Sequence, residues 1–441
     1  METAAATAIN GTDTAWLMVA CAMVLLMTPA LAFFYGGLVR RKNALNTMMM
    51  SFASLGAVGV VWAVIGYSLA FAPGNAFIGG LDFAFLRGVG LEAEGTIPHL
   101  LFFAFQGTFA IITAALISGA IAERMRFEAY LAFIVLWVVG VYAPVCHWVW
   151  GGGWLAQMGA LDFAGGTVVH VNAGIAAVVA ALVVGPRRDH GRQAMLPHHV
   201  PFVLLGTGLL WFGWFGFNAG SALAADGVAA LAFVNTLLAP AAALVAWMVL
   251  DRIFTRRITA VGAATGIVIG LVAITPAAGF VSPMSAIALG ALATGPSYWA
   301  IMRRSRSKFD DSLEVAAAHG LGGLTGALLT GVFAAAAWGG VDGALAGDWR
   351  QLGVQTVAVL AALAYSGGAT FVLLKAIGAV MPLRAGDGHE RVGLDVPFHG
   401  EQAYVDGDGA LLAMPRPIEG RRLELRGPQP VGTATVQASE I

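Results

Sequence analysis

Apolar stretches of about 20 residues alternate along the whole chain with short polar ones, the pattern of helices that cross a bilayer. Dividing the sequence at its charged positions predicts eleven spans, near residues 14–38, 46–71, 99–121, 129–147, 165–185, 199–223, 228–250, 260–278, 284–302, 313–337 and 351–381. The fold class expected is therefore an all-α polytopic membrane protein with eleven transmembrane helices. The last span is long enough to run tilted. Residues 1–13 form a short outer segment, 14–381 the transmembrane domain and 382–441 a tail. The connection 73–98 is long and carries Asp82, Arg87, Glu92 and Glu94, which predicts a cap over one face. After Asp406 the chain is rich in Pro, Gly and Arg and reads as a disordered extension.

Composition agrees with this pattern. Hydrophobic residues make up 58% and charged residues 11%, against about 25% charged in a soluble domain, which excludes one. The formal net charge of −1 offers no basic face to a nucleic acid. Charge is nevertheless unevenly placed. Fifteen basic residues, at 40–42, 124, 126, 187, 188, 192, 252, 256, 257, 303, 304, 306 and 308, follow odd-numbered spans, and the opposite loops carry only Arg87 and Arg350. The excess predicts odd-numbered exits into the cytoplasm, an outside N-terminus and a cytoplasmic tail, in the cell (inner) membrane. The first thirteen residues lack a basic run, so no cleaved leader is expected. Cys21 and Cys146 fall inside apolar segments and read as core residues.

Two acid–histidine pairs supply the candidate chemistry. Asp162 precedes His170 and Asp311 precedes His319 by the same eight residues, each at the head of an apolar helix. The fifth span runs inward and the tenth outward, so the histidines approach the midplane from opposite faces, each about 12 Å deep in a core about 30 Å thick. Five spans and five inverted spans predict an inverted repeat, 14–185 and 199–337, with 351–381 as an extra helix. Asp162 suits a helix cap, and Asp311 with Glu314 has capping-box spacing. An ionisable residue at membrane depth marks a pathway, and two neutral imidazoles can share one proton. No third and fourth ligand accompanies them, so neither a metal nor another cofactor is expected. Aromatic groups cluster at Phe105 and Phe109, at Trp148 and Trp150, and at Trp211, Trp214 and Phe217, with Ser221 close by. Rings with one hydroxyl suit a small cation that sheds water. No nucleophile–base pair or phosphate loop points to an enzyme. His147, Thr265 and Thr275 receive no role.

The motifs DFAGGTVVHVNAG, GWFGFNAGS, HWVWGGG, LISGAIAER and FFYGGLVRRKN together resemble the ammonium transporter family (Amt/Mep/Rh), bacterial Amt type, over about residues 14–404. The run GLDVPFHGEQAY, residues 393–404, is similar to that family's cytoplasmic tail. The resemblance implies a homotrimer with one pore per subunit. It implies an outer ammonium site at Phe109, Trp150 and Ser221, a gate of Phe109 over Phe217, and a pore lined by His170 and His319. Asp162, Phe105 and Trp214 would support these groups. The implied function is an ammonium transporter or channel that conducts ammonia, with or without the proton. An ammonium sensor of the same fold and a Rhesus-type gas channel are the alternatives. A PII-type nitrogen regulatory protein would dock at the cytoplasmic face. Glu314 stands where many members carry a shorter acid.

Overall fold

The structure is a computed structural model that describes residues 8–304 and 307–404; the extension after Asp406 lies outside them. Eleven long helices carry the fold: α1 Gly11–Leu38, α2 Arg41–Phe71, α3 His99–Ile121, α4 127–149, α5 Gly166–Val184, α6 Val200–Gly220, α7 Gly227–Phe254, α8 Ala260–Ile274, α9 Pro283–Arg304, α10 Ala316–Phe333 and α11 Trp349–Val380. Among the described residues nine of them, all but α8 and α9, are long and apolar enough to cross a bilayer core, and the chain is a multi-pass membrane protein. Polar residues start several of them. Asn10 Oδ1 accepts from Thr12 N at 2.8 Å, Asp226 Oδ1 from Ala229 N at 2.9 Å and Thr259 Oγ1 from Gly262 N at 3.0 Å, each satisfying an amide the helix leaves open.

The two halves pack with opposite sense. α1 and α6 lie antiparallel in close contact, because Gly206 faces the backbone of Ala30 and Phe34 while Gly216 faces Ala20. A Cβ at Gly206 would stand 2.5 Å from Phe34 N, so only glycine permits this approach. α5 and α10 cross where Gly174 abuts Gly320 and where a Cβ on Gly323 would lie 2.9 Å from His170 Cβ. α11 lies across α4, α5 and α10, tied by Trp137 Nε1 to Thr370 Oγ1 at 3.0 Å, Ser366 Oγ to Asn172 O at 3.1 Å and Gln355 Nε2 to Ala327 O at 3.1 Å.

One span departs from the polarity pattern. The eighth is expected over 260–278, yet α8 ends at Ile274 and turns follow to residue 280. Pro276 brings no amide to a continuing helix, and the carbonyls of Thr275 and Pro276 accept instead from Ala164 N and Phe163 N at 3.2 Å each. The apolar run continues while the backbone turns aside to hold the Asp162 loop.

The connection 73–98 is ordered. It contains the antiparallel strands β1 Ala93–Glu94 and β2 Ile97–Pro98. Thr96 Oγ1 donates to Asp13 Oδ2 at 2.6 Å, and Trp148 Nε1 donates to Phe77 O at 2.8 Å. It thereby bridges the ends of α1 and α4.

At the other end the basic loops interlock. Arg187 pairs with Asp310 at 2.8 Å and with Glu123 at 3.2 Å, and Arg40 pairs with Glu123 at 3.0 Å. Although burial alone would raise both carboxyls, the guanidiniums hold Asp310 and Glu123 below the usual carboxylate range. Arg124, fully buried, donates to Gly185 O at 2.6 Å and to Asp310 O at 2.6 Å. Residues 384–404 join this layer: Arg384 pairs with Glu390 at 2.5 Å, and Asp395 accepts from Asn46 N at 2.8 Å.

Candidate functional site

The fifth and tenth spans open in the same unusual way. Residues Gly166–Val171 and Ala316–Leu321 form π-helical turns, and each contains its histidine. A π turn widens the helix locally and often marks a functional position. Here both occur at the α5–α10 crossing, and they bring His319 Nδ1 to 3.2 Å from His170 Nδ1. The rings lie nearly parallel, 22° apart with centroids at 5.3 Å. One Nδ1 must donate and the other accept. His170 Nε2 has no partner among the described residues, and it borders the space between the helices.

That space is narrow and apolar. Its cavity is about 10 Å³, room for a single molecule the size of water. Leu31, Ile112, Leu116 and Val268 form much of the wall beside the two imidazoles. Trp214 stacks on His170 at 5.4 Å and 19°, and its indole N–H donates to Thr275 Oγ1 at 2.8 Å.

Above the lumen lies an aromatic barrier. Phe109 of α3 and Phe217 of α6 stack at 4.2 Å and 30°, with Phe105 edge-on to Phe109 at 4.9 Å. Trp150 stands perpendicular to Phe109 at 5.9 Å. Trp150 and Ser221 line a pocket of about 280 Å³ open at the end of the bundle that bears the β1–β2 connection. The Ser221 hydroxyl donates to Phe217 O at 2.9 Å, which leaves its lone pairs for a donor in the pocket.

Asp162 organises this end from beneath. Its Oδ1 accepts from Gly165 N at 3.0 Å and Gly166 N at 2.6 Å, and its Oδ2 from Thr167 N at 2.9 Å and Val168 N at 3.0 Å. Its carbonyl accepts the Trp150 indole N–H at 2.8 Å. Burial pushes the carboxyl up to about 6 in spite of the four amides. Gly165 has φ of 113°, a left-handed conformation that favours glycine and folds the chain tightly around the acid.

Asp311 at the opposite end differs. Its Oδ2 accepts from Ala316 N at 2.6 Å, but Glu314 does not complete the expected capping box. The Glu314 carboxylate is taken by Arg304, and Glu314 itself sits at φ 63°, outside the helix. A charge-assisted pair with a guanidinium is stronger than a bond to a neutral amide, so the pair prevails.

Several site residues carry no mark in the sequence. Phe71, Phe102, Phe163 and Gln106 join Trp150 and Ser221 around the pocket at the β1–β2 end from separate elements. Of these only Gln106, a polar residue inside an apolar span, gives a local signal. A larger pocket of about 510 Å³ at the basic end reaches His319 and is bordered by Thr265, Asp251 and Tyr298. His147 lies against two carbonyls, Ala70 O at 2.9 Å and Asn75 O at 2.8 Å, and so fastens the 70–75 stretch beside Trp150.

The sequence profile of the Ammonium Transporter Family matches residues 15–404. An ammonium transporter of Bacillus subtilis (strain 168) is 48% identical over 400 residues, covering 89% of this chain and 98% of that protein. Among solved structures, Saccharomyces cerevisiae Mep2 superposes with a TM-score of 0.81 at 37% identity, over 86% of this chain and 88% of that one. A structure described as a sensor Amt protein superposes with a TM-score of 0.83 at 32% identity, over 88% and 98%. With the profile spanning all eleven helices and near-full-length relatives at this identity, the chain belongs to the ammonium transporter family.

Proposed function

We propose that the protein is an ammonium transporter or channel. It takes the ammonium cation at Trp150, Phe109 and Ser221, where the cation gives up its proton to the water of the open pocket near the Phe109–Phe217 gate, and it conducts ammonia past His170 and His319, with or without the proton crossing as well. The observation that carries this reading is the sequence of environments along one line: a pocket of rings and a hydroxyl, two stacked phenylalanines, and a lumen for one small molecule beside an imidazole pair. Ring faces attract a cation through their quadrupoles, and Ser221 accepts one of its hydrogens. An apolar lumen does not repay the loss of water from an ion, so a potassium ion, which has no proton to give up, is excluded. Ammonia enters neutral and finds the His170 Nε2 position as a hydrogen-bond partner. Asp162 acts by holding Trp150 and the turn that carries His170, with no contact to substrate, while Trp214 and Phe105 wall the path.

The basic end faces the cytoplasm in this reading, and the chain sits in the cell (inner) membrane with its N-terminus outside. The homotrimer and the PII-type nitrogen regulatory protein at the cytoplasmic face, both implied by the family resemblance, belong to it too. Deleting the chain from Arg384 is expected to weaken membrane recruitment of that regulator, and unchanged recruitment contradicts the docking. The alternatives are an ammonium sensor of the same fold, without net uptake, and a Rhesus-type gas channel; one structural neighbour is described as a sensor Amt protein. Growth of an uptake-deficient strain on low ammonium separates transport from sensing. Rescue by the wild type and its loss in the His170→Ala, His319→Ala double variant support transport; absence of rescue by a correctly inserted wild type supports sensing.

A further inference from the structure

The pocket of about 510 Å³ at the basic end is far larger than a water-sized solute needs, roughly 30 Å³. It falls within the range of about 300–1,000 Å³ typical of small-molecule sites. Much of its wall is apolar, from Leu38, Met195, Pro197, Val261 and Ile301. Three charged side chains line it: Asp251, Arg304 and Glu314. Arg304 and Glu314 neutralise each other as an ion pair. Asp251 is bonded only to the neutral Thr259 among the described residues, so the pocket keeps one uncompensated negative charge.

That carboxylate is held still and left half open. Its Oδ2 accepts from Thr259 N at 3.1 Å and from Thr259 Oγ1 at 2.9 Å, while Oδ1 has no partner among the described residues. Asp251 is 4% exposed, as is Trp247 one turn earlier on α7, and Tyr298 of α9 is 5% exposed. The two rings meet edge to face with centroids 4.8 Å apart. A Cβ on Gly262 would stand 2.4 Å from Trp247 Nε1 and 2.7 Å from Asp251 Oδ2, so indole and carboxylate converge on one spot. The Tyr298 hydroxyl lies beside the same carboxylate without bonding to it, and neither it nor the Trp247 N–H has a partner among the described residues. Buried polar groups are normally hydrogen-bonded, so unpaired groups gathered around an open carboxylate oxygen mark a place for a ligand. A negative charge beside aromatic rings selects a cation, and apolar walls beyond it favour one that carries a hydrocarbon part.

We propose that this pocket binds a small organic ammonium ion, a protonated primary amine with a short alkyl chain. Two of its N–H groups donate to Asp251 Oδ1 and to the Tyr298 oxygen, and the third donates to a water that also accepts from the Trp247 indole. The alkyl chain lies toward Val261 and Ile301. Because the pocket reaches His319, an occupant stands across the end of the lumen, and amines on the basic side obstruct passage. Binding itself does not depend on which solute the pore conducts.

The test is equilibrium dialysis of the purified full chain against radiolabelled n-butylamine in phosphate buffer at neutral pH, where the amine is protonated. Saturable binding with Kd on the order of 1 mM or tighter is expected. Asp251→Asn keeps an oxygen for Thr259 and is expected to weaken binding at least about tenfold. Tyr298→Phe removes a hydroxyl that has no protein partner, so it leaves the fold intact and decides the question even if Asp251→Asn does not fold; a loss of roughly threefold is expected. Unlabelled ammonium, which lacks the alkyl chain, is expected to displace the label at least about tenfold less effectively than unlabelled butylamine, at about fourfold per buried methylene. Tetramethylammonium, a cation without N–H groups, is expected to compete at least about threefold more weakly than butylamine. Absence of saturable binding by the wild type overturns the proposal, as does undiminished binding in either variant. Equal displacement by ammonium overturns it in favour of a site for the inorganic ion, and equal displacement by tetramethylammonium overturns the hydrogen-bonded head.

Discussion

His170 and His319, 149 residues apart in the chain, face each other through Nδ1 atoms 3.2 Å apart. The contact exists because two helices of opposite direction each widen by one π turn at the same depth. Replacing either ring by Leu leaves the other imidazole buried with an unpaired Nδ1, at a cost of about 1–3 kcal/mol. The larger effect falls on passage through the lumen. His319→Leu is expected to stay folded and to lose at least about tenfold in ammonium uptake, equivalent to about 1.4 kcal/mol on the barrier. Vesicle uptake alongside a thermal melt checks both halves.

The outer pocket makes a separable prediction. Trp150→Leu removes a ring face worth about 0.5–2 kcal/mol to a cation, which corresponds to roughly 2- to 30-fold in apparent affinity. The concentration dependence of uptake should shift by that factor while the maximal rate changes less. A fall in maximal rate with unaltered half-saturation would place Trp150 outside the recognition step.

Close helix approach at the crossing can be tested without touching a histidine. A Cβ on Gly323 would stand 2.9 Å from both Gly166 O and His170 Cβ. Gly323→Ala must therefore push α5 and α10 apart by several tenths of an ångström, and uptake should fall severalfold. Gly208→Ala, where nothing lies within 4 Å, serves as the control and should leave uptake unchanged.

The ion cluster at the basic end predicts how stability depends on pH. Asp310 and Glu123 are held below their ordinary values by Arg187, so their contribution is present above the unfolded carboxylate range, about pH 4, and is lost as pH falls through the folded values. Melting temperature in detergent should hold steady from neutral pH to about 5 and decline below about 4. Arg187→Ala leaves two carboxylates of 0% side-chain exposure without their shared partner, a loss of about 3–5 kcal/mol. Retention of the wild-type melting temperature in that variant would show the cluster to be dispensable.

How far the sequence reveals all this depends on the interaction concerned. α3 is legible to the residue, His99–Ile121 against an expected 99–121, because a charged loop bounds an unbroken apolar run at each end. The histidine pair is legible from two equal spacings, since helix rise converts spacing into depth. The π turns are not legible, because a bond from residue i to i+5 leaves no trace in the order of polar and apolar residues. Pro276 does mark the end of α8, but the apolar run passes through it and masks the turn. Glu314 misleads for another reason: capping-box spacing is local, and Arg304, ten residues earlier, competes for the same carboxylate. Phe71, Phe102 and Phe163 reach the outer pocket only through tertiary packing.

Isotopic ammonium uptake into proteoliposomes, with and without a tenfold excess of potassium, tests the central claim most directly when wild type is run beside the His170→Ala, His319→Ala double variant. The account predicts wild-type uptake indifferent to potassium, and uptake near the background of empty vesicles in a double variant whose elution profile is unchanged. Uptake that potassium suppresses, or that survives the loss of both imidazoles at the wild-type rate, would contradict it.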